Sequence, residues 1–264
     1  MKKLILSLVS TVLMLVSCTK DDNNINNNST VTAQLPKTIN NDGIVSTVTY
    51  NGTKIVSIVA SSANISSKTF TYTGDNIVTQ VYAYGNNILT TGYVYDSNNK
   101  LVKSNYWSNN GKGNTMTISG KDEYVYNTDG TVTKQYYNNS DGVYVAEGGF
   151  LKMTYQNGNA VKGEFIITAT GQTSSRWVAE FDTKNNPFKN VTGMNKILGG
   201  SSWSNTNNWT KLITTSTETI TSLVRSYNYT YNTQGYPLNV QQTDVYTSLS
   251  GSTQTNTYNI VYTY

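Results

Sequence analysis

The 264-residue sequence contains no histidine, one cysteine and three prolines, and only 13% of its residues are charged. Without histidine there is no imidazole to serve as general base or metal ligand, and no Ser-His-Asp arrangement can be built. A single cysteine, Cys18, excludes an internal disulfide and a Cys-based metal site. Charge is too sparse, and the net of +4 too scattered, for a basic patch that would hold nucleic acid. No Gly-rich loop opens a helix, so a phosphate cradle has no support. Long apolar runs are missing as well: Leu4 to Val16 is short of the ~20 residues that cross a bilayer.

What remains is uncharged and polar. Hydrophobic residues make up 37% of the chain, the bulk is Asn, Thr, Ser and Gly, and tyrosine occurs 21 times. Tyrosine therefore has to supply much of the core, ring packed and hydroxyl bonded.

Met1-Lys2-Lys3 followed by Leu4 to Val16 reads as the positive and apolar regions of an export signal, residues 1–17. Its end, Leu15-Val16-Ser17-Cys18, resembles the lipobox of bacterial lipoproteins. That resemblance implies cleavage before Cys18, acylation of its thiol and a membrane anchor of two or more chains. Thr19-Lys20-Asp21-Asp22 is similar to the surface-export tract of Bacteroidetes-type lipoproteins, which implies an outer-membrane, surface-facing address. Residues 18–40, rich in asparagine, lack periodicity and read as a tether with a reach of about 25 Å by flexible-chain scaling. Loss of Lys2 and Lys3 would leave 17 basic against 15 acidic residues.

From residue 41 to 264 one shape recurs: two aromatic or apolar residues one position apart, a polar turn, then a short aliphatic run. Tyr93-Val94-Tyr95-Asp96-Ser97-Asn98-Asn99-Lys100-Leu101-Val102 is the clearest copy. Residues i and i+2 share a strand face, so the unit reads as a β-hairpin. Further copies start at Val48, Phe70, Tyr124, Met153, Phe181 and Tyr229. The step from the last aromatic to the first apolar residue of the return varies from five (Tyr50 to Ile55) to seven (Phe181 to Phe188). Hairpin loops tolerate that variation and solenoid rungs do not. In Asn51-Gly52 both residues are expected at positive φ in a two-residue turn. Tyr258 to Tyr264 closes the chain as a strand. The expected fold is all-β: one antiparallel meander of serial hairpins, coiled as an open sheet or barrel-like. Residues 190–210 depart from strand grammar and read as a short helix or loop insertion serving as a lid or edge cover.

The aromatic–turn–aliphatic unit resembles the YD repeats of RHS-type surface proteins. Together with the lipobox, the Asn-rich tether and the Asn186-Pro187-Phe188 insertion, it resembles a group of Bacteroidetes-type surface lipoproteins. The resemblance covers residues 44–264 and implies a β meander; the chain is short and has no toxin segment, so encapsulation does not carry over.

Catalytic candidates are confined to carboxylates. Asp122 and Glu123 are adjacent on a strand and point to opposite faces, whereas Glu180 and Asp182 share one. Asp96 to Asn99 and Asp182 to Asn186 could be calcium loops but lack the trailing Glu and fit plain turns. No catalytic, metal or cofactor residue is therefore assigned. Trp203 and Trp209, outside the alternation, followed by Trp107 and Trp177, are the residues suited to stacking on a sugar face. The expectation is a membrane-anchored, non-catalytic binding or scaffolding module for glycan or a partner protein, with a carboxylate-dependent glycan hydrolase as the alternative. A pore-type barrel would need a lipid-facing apolar band, and the residues between the aromatics are mostly Thr, Asn and Ser.

Overall fold

Period-two alternation in a chain whose hairpins follow one another sorts side chains onto two surfaces, and here the sheet closes so that one surface becomes an interior. The computed structural model describes residues 33–62, 66–109, 115–198, 202–216 and 220–264. The expected signal peptide, Cys18 and most of the tether lie outside them. The strands are β1 (Thr38–Asn41), β2 (Ile44–Asn51), β3 (Lys54–Ala60), β4 (Ser66–Thr73), β5 (Asn76–Tyr84), β6 (Asn87–Tyr95), β7 (Leu101–Ser108) and β8 (Thr117–Tyr126). They continue as β9 (Val132–Ser140), β10 (Val143–Gln156), β11 (Asn159–Ile167), β12 (Thr173–Phe181), β13 (Trp209–Ser216), β14 (Ile220–Tyr231), β15 (Pro237–Ser248) and β16 (Thr253–Thr263). Each pairs antiparallel with its sequence neighbours, and β1 pairs with β16, closing a sixteen-stranded barrel. The strand β1 begins at Thr38, inside the span read as tether.

All seven aromatic–turn units fall at one end of the barrel, at the turns β2–β3, β4–β5, β6–β7, β8–β9, β10–β11, β12–β13 and β14–β15. In five of them the ladder shifts register at the second aromatic position, at Tyr50, Tyr72, Tyr95, Tyr155 and Tyr231. A bulge of this kind lets the ring and the first residue of the returning strand face the same side despite unequal turns. The first aliphatic residues of the returning strands, Ile55, Ile77, Leu101 and Ala160 opposite such bulges and Val132 opposite the unshifted Tyr126, are buried at 0, 0, 0, 2 and 4% exposure and form the core at this end.

The tyrosine hydroxyls stitch successive units together. Tyr72 Oη accepts from Ile55 N at 3.1 Å, Tyr95 Oη donates to Ile77 O at 2.8 Å, and Tyr126 Oη donates to Leu101 O at 3.2 Å. Each reaches the first aliphatic residue of the preceding unit. Asn51-Gly52 is not a turn with two positive-φ centres: β2 runs through Asn51, and among the described residues only Gly52 of the pair has positive φ, at 61°. Asn157 and Gly158, with φ of 50° and 75°, make the expected geometry instead.

The unit starting at Phe181 is the exception. Its return strand begins at Trp209, which pairs with Phe181, and Phe188 belongs to the intervening segment. Asn186 Oδ1 accepts from Phe188 N at 2.9 Å, and Pro187 has no N–H to offer a ladder, so the chain turns inward instead of pairing. Because the barrel has no free edge, the segment covers none. It enters the barrel: Phe188, Val191 and Met194 pack among Val48, Ile55, Phe70 and Ile77. Among the described residues its helical content is two 3-10 turns, Met194–Lys196 and Ser202–Ser204. Asparagine side chains hold it, with Asn205 Oδ1 accepting from Ala160 N at 2.9 Å and Asn186 Nδ2 donating to Ser202 O at 2.7 Å. Residues 34–37 enter at the same end, where Lys37 N donates to Thr263 O at 2.7 Å and Tyr50 Oη to Pro36 O at 2.9 Å.

The outer wall is polar. Along β16, Thr253, Thr255, Thr257, Asn259, Val261 and Thr263 are exposed, while Tyr258, Ile260 and Tyr262 between them are half-buried. On β8 and β11 the exterior carries ion pairs, Lys121 with Glu123 at 2.7 Å and Lys162 with Glu164 at 2.8 Å. Valines such as Val94 and Val125 are exposed singly.

Candidate functional site

On β14 the alternation places Arg225, Tyr227, Tyr229 and Tyr231 on the interior face, and the three rings stack in sequence at 6.1 and 5.5 Å between centroids. Opposite Arg225 in the ladder stands Asp244 of β15, 1% exposed. Arg225 grips it with Nε to Oδ1 at 2.7 Å and Nη2 to Oδ2 at 2.6 Å. Gln242 Nε2 donates to the same carboxylate at 3.0 Å and Tyr246 Oη at 3.2 Å. Burial pushes the Asp244 carboxyl upward, but the guanidinium and the other donors outweigh it and hold the group below the usual carboxylate range. Arg225 is correspondingly held charged by that carboxylate. Burial raises the Tyr227 hydroxyl to about 12 and also drives Tyr229 and Tyr262 upward, so these rings are neutral at ordinary pH.

Between this wall and the inserted segment lies a cavity of about 160 Å³. The wall contributes Arg225, Tyr227, Tyr229, Gln242 and Tyr262, and the segment with its flank contributes Asn186, Phe188, Trp203 and Trp209. Trp209 is tilted against Tyr227, ring centroids 6.3 Å apart. Its indole N–H is buried and has no hydrogen-bond partner among the described residues. A donor left in that condition costs about 1–3 kcal/mol unless a water or ligand acceptor meets it.

The four tryptophans are not equivalent. Trp209 lines the cavity with an unused donor. Trp203 lines it too, but its ring is already stacked on Phe188 at 4.6 Å and carries the Lys68 ammonium 4.3 Å from its centroid. Trp107 lies on the outer wall, opposite Thr90, with its ring over Gly92, where an added Cβ would come within 3.0 Å of it. Trp177 faces the interior and lies over Gly163, whose added Cβ would come within 2.3 Å of the indole nitrogen. The last two serve as covers for backbone and are not brought to the cavity.

The carboxylate candidates are dispersed. Asp122 points inward, 3% exposed, and pairs with Lys134 at 2.6 Å while accepting from Tyr106, whereas Glu123 points outward. The strand β12 ends at Phe181, so Asp182 lies past it and the alternation that was to put Glu180 and Asp182 on one face does not reach it. Glu180 is exposed opposite Lys211, and Asp182 is taken up at the barrel end by Asn208 at 3.0 Å and by Tyr231. Both candidate calcium loops are turns closed on themselves: Asp96 Oδ1 accepts from Asn98 N and Lys100 N at 2.9 Å, and Asp182 Oδ1 from Lys184 N at 3.0 Å. Sequence reasoning missed Arg225, Gln242 and Asp244. The available signal was parity, since Arg225 sits two residues before the aromatic series Tyr227, Tyr229, Tyr231 and so shares its face.

No protein-family model and no curated protein matches this chain. Solved structures do. A porin-like protein from Bacteroides uniformis ATCC 8492 superposes with a TM-score of 0.50 at 14% identity, covering 86% of this chain and 96% of its own. A porin-like protein from Bacteroides vulgatus ATCC 8482 gives 0.51 at 13% identity, covering 88% and 99%. The likeness is one of fold: a closed antiparallel barrel.

Proposed function

We propose that this chain is a non-catalytic binding module held at the outer membrane by acylated Cys18, with the barrel itself in water and a sugar ring as the ligand of its lumenal cavity. The observation that carries the binding role is the buried, unpartnered indole N–H of Trp209 in a cavity walled by Tyr227, Tyr229 and Phe188. Ring faces with a few convergent donors are what a sugar presents itself to. At about 160 Å³ the cavity is smaller than a drug-sized pocket, which fits one terminal ring of a glycan and not a chain of them. Asp244, deprotonated and saturated by Arg225, Gln242 and Tyr246, has no proton to give a glycosidic oxygen, and the geometry favours binding over hydrolysis.

The polar wall argues for an acyl anchor over a spanning barrel, because Lys121, Glu123, Lys162 and Glu164 would meet lipid, at about 2–4 kcal/mol for each lysine near the bilayer centre. The Bacteroides porin-like neighbours are in keeping with an outer-membrane setting, and the YD-like units with a surface role. Affinity electrophoresis on a panel of polysaccharides tests the ligand. Retention on at least one member, lost in Trp209→Ala and kept in Trp107→Ala, is the expected result; equal mobility of wild type and Trp209→Ala on every member would refute it. For the anchor, Cys18→Ser is expected to move the protein into the soluble fraction, and protease shaving of intact cells reports which side the domain faces.

A further inference from the structure

Among the described residues, two cations on the interior face of the strands are paired with buried carboxylates, Lys134 with Asp122 at 2.6 Å and Arg225 with Asp244 at 2.6 Å. Lys68 differs from them. It lies on β4 opposite Ile58 and Tyr82, on the inward parity of Phe70 and Tyr72. Among the described residues no carboxylate stands within ion-pair distance of its ammonium. Its neighbours are ring faces, Trp203 at 4.3 Å and Tyr82 at 5.8 Å from their centroids. These offset part of the cost of burying a cation but leave its charge uncancelled. Burial alone depresses its pKa, with no acidic group acting in the other direction.

The ammonium stands in a second cavity, of about 310 Å³, apart from the Trp209 cavity and touching it only through Trp203. Ile39, Ile58 and Ala60 give this space an apolar side, and Ser46 and Ser66 add hydroxyls to its lining. A cation without a counter-charge, hydroxyl donors and an apolar wall in one cavity are complementary to a single kind of guest. We propose that the Lys68 cavity binds a small organic anion, a carboxylate or sulfate carried on an apolar ring, with the anionic head on Lys68 and the ring against Ile39 and Ile58. This site is independent of the sugar reading.

Isothermal titration calorimetry of the folded protein with benzoate, phenyl sulfate and neutral benzamide tests it. Both anions are expected to bind saturably and about tenfold or more tightly than benzamide, as charge-assisted hydrogen bonds do over neutral ones. Lys68→Met, which keeps the stem and removes the charge, should bring the anions down to the benzamide level, while Lys68→Arg should retain the preference. If the anions bind no better than benzamide, or if Lys68→Met keeps the full preference, the proposal is wrong. Should Lys68→Met fail to fold, salt decides on the wild type. Benzoate affinity falling with added KCl while that of benzamide holds supports the site, and equal insensitivity overturns it. Trp209→Ala is expected to leave benzoate binding unchanged, so a failure of the sugar reading and a failure of this one are separately visible.

Discussion

Individual rings carry two different duties here, and the partner atom decides which. A tyrosine of the repeated unit buries its ring and spends its hydroxyl on the backbone of the neighbouring unit, whereas Trp107 and Trp177 spend a whole ring face on covering a glycine. The second duty leaves no room for a side chain on the covered strand. Gly163→Ala would put a Cβ 2.3 Å from the indole nitrogen of Trp177, and overpacking of this kind costs about 1–3 kcal/mol. Urea unfolding should show the lowered midpoint, and adding Trp177→Leu to Gly163→Ala should recover most of it; an unchanged midpoint in the single variant would show that the ring gives way freely. The inward facing of the tyrosines was legible from their spacing of two. The glycines beneath the tryptophans were not, because Gly163 meets Trp177 through cross-strand register, and register needs the turn lengths and bulges that sequence leaves open.

At the level of elements, one connection out of seven behaves differently, and the reason is local. Six aromatic–turn units close as hairpins; the one at Phe181 meets Asn185-Asn186-Pro187, whose side-chain acceptor and missing N–H send Phe188, Val191 and Met194 into the lumen before Trp209 resumes the ladder. The departure of residues 190–210 from strand grammar was visible in sequence. Its destination was not, since an inward plug and an outward cover have the same composition, and only closure of the sheet leaves an interior to fill. Phe188, 1% exposed and stacked on Trp203, is the anchor of this plug. Phe188→Ala should destabilise the protein by about 3–5 kcal/mol, the range for deleting a buried ring, with a change in near-ultraviolet circular dichroism from the freed Trp203. Far-ultraviolet strand signal should persist below the new midpoint. Loss of the strand signal at all temperatures would mean that the segment is needed for the barrel to close at all.

Taken as a whole, the barrel sets threonine, asparagine, ion pairs and aliphatic residues such as Val94, Val125 and Val261 outside and most of its tyrosine rings within. Parity alone made that legible, since the residues between paired tyrosines are Thr, Val and Asn. Closure was harder to read: β1 is four residues, Thr-Ile-Asn-Asn, and joins β2 to β16 through backbone hydrogen bonds that composition does not announce. An interior made of tyrosine has a consequence for pH. Burial raises Tyr93 and Tyr136 to about 12 and moves Tyr95, Tyr229 and Tyr264 upward as well, while in an unfolded chain all of them titrate near pH 10. The folded state then holds protons that the unfolded state has released, so the stability from these neutral hydroxyls is complete below about pH 10 and is lost as pH climbs from there through about 12 and beyond. Because many rings share one interior, the loss should be cooperative. A pH titration is expected to show tyrosinate absorbance and far-ultraviolet circular dichroism changing together, at a pH above that of free tyrosine. If the hydroxyls instead ionise gradually near pH 10 with the strand signal intact, the rings are reached by water in the folded barrel and cannot be what holds its wall together.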